Sequence, residues 1–254
     1  MQKPHYQIPI DDCGDPLQPI PLEVFAVEAP HPYVRLGAPY GDRSPYYLRQ
    51  GVLTALQMAQ ARLQQQRPGW RIQIFDAYRP IAVQQFMVDY TFQQQLQARG
   101  LAAHNLSELQ QQALWDEVYQ FWAVPSADPA TPPPHSTGAA VDVTLVDAAG
   151  AIADMGSPID EVSPRSYPDF YAPGFPGPKL GRAAPAISPP DGVGEGDRQR
   201  FHQHRELLHH IMAQAGFRRH PQEWWHFSLG DQMWAWLENQ EHPGRGAVAR
   251  YGSV

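Results

Sequence analysis

Proline placement limits what this chain can fold into more than any other feature. The 27 prolines and 20 glycines are gathered in clusters instead of being spread evenly. A proline fixes φ and lacks a backbone donor, so a cluster marks a stretch where neither a helix nor a central strand can run. Four prolines between Ser126 and Pro134 therefore exclude regular structure there. Residues 162–197 form a second dense stretch, too long for an ordinary connection in a compact domain. They are expected to be an insertion that either narrows a site as a lid or decorates the surface.

Between these breaks the periodicity is readable. Leu53, Leu56, Ala59, Ala61 and Leu63 recur at helical spacing and predict a helix that closes before Pro68-Gly69. Residues 70–75 alternate as a strand ended by 76–80, and 81–97 return to helical spacing. Ser107 opens a predicted helix over 107–122, residues 139–146 read as a buried strand, and 147–150 turn into a short return strand. A helix over 201–215 with Gly216 at its end and a final strand region over 217–229 complete the pattern. The expectation is an α+β fold, a small antiparallel sheet flanked by helices. It would form one domain over 1–254, with an N-terminal arm at 1–32 and a frayed tail at 243–254.

Composition narrows the function. A net charge of −7 argues against nucleic acid as partner, which needs a cationic face. The single cysteine, Cys13, excludes an internal disulfide framework, a zinc ribbon or a cysteine-ligated iron–sulfur cluster. No run of eighteen apolar residues and no apolar leader occur, so no membrane partner is expected and the cytoplasm is the expected compartment. The sequence does not set the oligomeric state.

Eleven histidines beside one cysteine direct attention to sites built from imidazole and carboxylate. HExxH, HxxEH and an EF-hand loop are absent, and His202, His204, His209 and His210 read as the solvated face of one helix. Two other segments stand apart. In the run from His135 through Gly138 and Ala140 to Asp142, a histidine leaves the proline-rich loop and an aspartate sits inside an apolar strand. A charge between Val141 and Val143 is costly unless satisfied, so Asp142 either anchors a turn or faces a cation. In Glu223-Trp224-Trp225-His226 the imidazole is either a core group bonded to backbone or a ligand. Together the segments hold what a catalytic zinc needs: two imidazoles, one carboxylate and an open fourth position. Glu223 is left over as a base, like the spare glutamate of zinc peptidases. Arg79, after Asp76 and Tyr78, either stabilises an oxyanion or pairs with Asp76 at the surface.

These segments keep the order of a known pattern, SxHxxGxAxD followed by ExxH and preceded by aromatic-arginine-proline. His135, Gly138, Ala140 and Asp142 fall in step, then Glu223 and His226, with Tyr78-Arg79-Pro80 upstream. The chain thus resembles the D-alanyl-D-alanine dipeptidases of the VanX type, within the zinc D,D-peptidase and hedgehog-like superfamily, over about residues 33–230. The resemblance implies one Zn2+ per chain held by His135, Asp142 and His226, with Glu223 as general base and Arg79 stabilising the oxyanion. It also implies that Asp160 receives the substrate's amino group and that Tyr33 is a pocket aromatic. The substrate implied is a small D,D-dipeptide, hydrolysed to two D-alanines.

In two respects the chain departs from the pattern, and one is the stretch between Asp160 and the helix at Phe201, longer than expected for the family. Pro133 stands where the family has a serine associated with the substrate's carboxylate end, so that contact is missing or comes from another group such as Ser136. Two alternatives stay open at this level. One is a D,D-carboxypeptidase or endopeptidase acting on peptidoglycan stems; the other is a zinc-binding module without catalysis.

Overall fold

The computed structural model describes residues 3–175 and 193–254. Residues 176–192, the middle of the expected 162–197 insertion, lie outside the described residues. The centre is a five-stranded sheet in the order β2(Ala26–Val27), β4(Arg71–Asp76), β5(Ala140–Val146), β7(His226–Ser228), β6(Arg218–Arg219). All neighbours pair antiparallel except β2, which runs parallel to β4, so the sheet is mixed at one edge. A separate antiparallel pair joins β1(Leu17–Pro19) to β3(Tyr47–Arg49). The α+β expectation holds, with that parallel edge as its refinement.

β5 is buried along its whole length, as a central strand covered on both faces must be. Its odd residues Val141, Val143 and Leu145 join Ile72 and Ile74 of β4 in the main core. α2(Gln50–Gln66) and α5(Glu195–Gln214) cover that face with Val52, Leu56, Leu63, Leu208 and Ile211. Ala61, expected on the apolar side, is exposed. The even residue Asp142 faces the other way. A bulge between Ile74 and Asp76 shifts the register so that Asp76 lies opposite Asp142.

A second core lies under α1(Pro32–Arg35), α3(Ile81–Ala98) and α4(Glu108–Phe121), where Tyr33, Met87, Phe92, Leu114, Val118 and Trp122 meet. α4 starts as expected: Ser107 Oγ accepts the Gln110 N–H at 3.3 Å, and Gln110 Oε1 accepts the Ser107 N–H at 2.9 Å.

Three expectations need correction. α5 begins at Glu195 and not at 201, because Gly194 caps it and Glu195 and Asp197 suit the positive end of the helix. α6(Gln232–Glu241), unforeseen, follows β7 and is capped by Asp231, whose carboxylate accepts the Trp234 N–H. The tail at 243–254 is not frayed: Ala249 and Tyr251 are buried, and Asp11 and Cys13 donate N–H bonds to Ala249 O and Arg250 O at 2.8 and 2.9 Å. No helix among the described residues is long and apolar enough to cross a membrane.

Candidate active site

His135 sits in a short 3-10 turn, Pro134–Thr137, that the proline-rich loop feeds into β5. Gly138 ends the turn in the left-handed region at φ 70°, and a Cβ there would collide with Leu17 Cδ2. Asp142 and His226 are direct cross-strand partners on β5 and β7, so their side chains share one face. The three residues are all buried, and one donor atom from each lies within 4.8 Å of the others. His135 Nε2 is 3.2 Å from Asp142 Oδ2, and His226 Nδ1 is 3.0 Å from Asp142 Oδ1.

The outer ring nitrogens fix which inner ones carry lone pairs. His135 Nδ1–H donates to Ala77 O at 2.7 Å, which leaves Nε2 unprotonated toward the cluster. His226 Nε2–H donates to Ser228 Oγ at 3.3 Å, and Ser228 Oγ–H donates to Asp231 Oδ2 at 2.8 Å. His226 Nδ1 therefore also presents a lone pair, 3.2 Å from His135 Nε2. Burial works to raise the Asp142 pKa, and positive charge beside the carboxyl outweighs that and holds it far below the usual range. Two lone pairs and a carboxylate converging in a buried spot repel one another unless a cation joins them. The donor set suits a divalent metal ion, with both imidazoles oriented from behind.

Glu223 lies in the turn between β6 and β7, with Oε2 3.9 Å from His226 Nδ1 and Oε1 3.9 Å from His220 Nδ1. Burial, reinforced by the charge of Asp142, raises its pKa to about 8. The two tryptophans after it anchor the turn. The Trp224 N–H donates to Ser166 O, its indole N–H donates to Ser157 Oγ, and Trp225 O accepts the Val143 N–H.

Arg79 is buried, so the surface reading of this residue is wrong, although its pairing with Asp76 is real. Its Nε donates to Asp76 Oδ2 at 2.8 Å, Nη1 to Gln84 Oε1 at 2.8 Å, and Nη2 to Tyr33 OH at 3.2 Å. Nη2 also lies 3.4 Å from Asp142 Oδ2, and the guanidinium stacks 5.0 Å from the rings of both Tyr33 and Trp122. Asp160 accepts the Tyr33 hydroxyl at 2.7 Å and is the one non-glycine at positive φ among the described residues. Such strain persists where surrounding bonds hold it. Burial, then the charge of Asp142, raises the Asp160 pKa to about 7.

His135, Asp142, His226, Glu223, Arg79 and Asp160 all line one cavity of about 50 Å³. Tyr33 does not line it; the hydroxyl supports Asp160 and Arg79 from behind. Ser136 does not reach the cavity either, since its hydroxyl donates to Arg79 O at 2.7 Å. Lys3, His5 and His220 also line the cavity, and no motif marked them in the sequence. Asp231 has a local signal, an acid after a glycine at the start of an apolar run, and Ser228 has none. His202, His204, His209 and His210 stay on α5, where Arg205 is the one charged residue of that stretch that is fully buried.

Comparison with known proteins identifies the family. A family model described as D-ala-D-ala dipeptidase matches residues 27–244. The chain is similar to a D-alanyl-D-alanine dipeptidase of Synechocystis sp., at 49% identity over 252 residues, covering 99% of this chain and 97% of that protein. It is also similar to D-alanyl-D-alanine dipeptidases of Escherichia coli, at 37% identity over 95 residues and 37% of each chain, and Enterococcus faecium, at 26% over 189 residues, 74% of this chain and 73% of that one. The chain belongs to the D-alanyl-D-alanine dipeptidase family of the M15 peptidases.

Proposed function

We propose that this protein hydrolyses D-alanyl-D-alanine to two D-alanines with one zinc ion held by His135, Asp142 and His226. The observation that carries the reading is the meeting of that donor set, a spare buried glutamate and a second acid, Asp160, in one small cavity. When bound, zinc supplies Lewis-acid chemistry, polarising the scissile carbonyl and making a water molecule more acidic. Glu223 takes a proton from the attacking water as oxygen adds to the carbonyl carbon. It then returns that proton to the amide nitrogen as the C–N bond breaks. A carboxyl raised toward neutrality by burial suits both halves of this transfer. Arg79 faces the carbonyl oxygen as charge develops on it, held rigid by Asp76, Gln84 and Tyr33.

Asp160 receives the free amino group, with Tyr33 as the positioning residue behind it. An acid at the amino end favours a free dipeptide over a longer chain, whose peptide nitrogen carries no charge there. The exposed thiol of Cys13 suits a reducing compartment, and the proposal places the enzyme in the cytoplasm. The test is metal content and D-alanine release on one preparation. One zinc per chain and turnover that Glu223→Gln abolishes while keeping the metal are expected; near-normal turnover in that variant would remove the assigned base.

A further inference from the structure

A zwitterionic dipeptide brings two charges into this cavity, and the residues assigned so far meet only one of them. Burying the carboxylate end without a partner would weaken binding steeply. Arg79 is not free for it: Asp76, Gln84, Tyr33 and Asp142 take up four of the five guanidinium N–H groups, and the one that is left serves the carbonyl oxygen in the reading above. The other cation lining the cavity is Lys3, which the N-terminal arm brings to it. Its ammonium donates to Trp122 O at 3.2 Å and has no ion-pair partner among the described residues, leaving two of its three donors. Two residues on, His5 is buried to 4% exposure and lines the same cavity, and its Nε2 has no hydrogen-bond partner.

Lys3 and Asp160 are a cation and an acid that line one cavity with the His135, Asp142 and His226 cluster. A dipeptide bound against the cluster thus finds a group of opposite charge for each of its ends.

We infer that the N-terminal arm builds the carboxylate subsite, with Lys3 as the charged anchor and His5 Nε2 as the second donor for the substrate's free carboxylate. The inference rests on the dipeptidase reading above and adds the residues that select a free C-terminus. Burial holds the imidazole of His5 neutral by pushing its pKa down to about 4, so Lys3 supplies the positive charge.

The test compares zinc-loaded wild type, Lys3→Met, Lys3→Arg and His5→Gln on D-Ala-D-Ala and on its C-terminal amide, which lacks the carboxylate charge. Wild type should prefer the free acid. Lys3→Met should raise KM for the acid by about 10- to 100-fold, with kcat little changed and the amide unaffected. Lys3→Arg should restore most of the preference, and His5→Gln should lower it by a smaller factor. An equal loss on acid and amide, a fall confined to kcat, or an unchanged preference in both Lys3→Met and His5→Gln would overturn the assignment. Wild type inert on D-Ala-D-Ala would instead remove the dipeptidase reading itself, so the two failures are told apart.

Discussion

Arg205 is the largest fully buried side chain, and its guanidinium has no carboxylate partner among the described residues. It is surrounded by backbone oxygens. Nε donates to Met155 O at 2.8 Å, Nη1 to Tyr167 O at 2.8 Å, and Nη2 to Arg165 O and Ser157 Oγ at 2.9 and 3.1 Å. These acceptors flank Asp160 on both sides, so one side chain gathers the loop that presents it. Tyr171 and Trp224 sandwich the cation at 4.9 and 5.4 Å. Replacing Arg205 by Met keeps much of the volume and removes every donor. Bonds from a charged donor contribute roughly 1.5–3 kcal/mol each. Burial of the cation, which drives its pKa down to about 9, offsets much of that gain. A net loss of about 3 kcal/mol is expected, which lowers Tm by roughly 6–12 °C in a chain of this size. The loosened loop should also raise KM for D-Ala-D-Ala by about 10-fold, more than it lowers kcat. Calorimetry and steady-state kinetics on the same preparation measure both. An unchanged Tm would refute the energetic argument, and a lower Tm with unchanged KM would show that Arg205 does not position Asp160.

Three further outcomes are expected. Ser228→Ala breaks the relay from Asp231 to His226 and should weaken zinc binding by about 10- to 100-fold, measured by chelator competition; unchanged affinity would mean that the relay does not orient the ring. Asp160→Asn should raise KM for D-Ala-D-Ala while leaving an N-acetylated dipeptide, already poor, where it was. The third concerns the metal-free protein, where burial raises the pKa of Glu223 to about 8 from 4.5. Its stabilising contribution is then full below pH 4.5 and is lost as pH rises through 8. Metal-free Glu223→Gln should accordingly lose less Tm than metal-free wild type between pH 6 and 9, and parallel curves would contradict this.

The parts of the site that were legible in the sequence violate a local rule. Asp142 stands out because a charge in an apolar strand needs a partner, and His135 because it leaves a proline cluster at a glycine. The helices were legible where an apolar stripe faces one core, as in α2 and α3. What escaped has no such mark. Lys3 and His5 lie in a polar arm whose path across the cavity only tertiary packing determines. Arg205 sits among four histidines, and nothing in the sequence sets it apart from them as the buried charge of that run. α6 escaped because its apolar residues form one unbroken run, Met233 to Leu237, with no helical period to read, which leaves Asp231 as the sole local signal.

Asp76, Asp142 and His226 form a single row across three adjacent strands, set by the pairings of β4 with β5 and of β5 with β7. A slip of one position by β5 would turn Asp142 toward the packed interior and bring Val141 or Val143 into the row. Only correctly threaded molecules can then capture the ion. A spectroscopically visible substitute such as cobalt would thus report on sheet assembly as well as on catalysis, counting properly registered chains during refolding before any substrate is added.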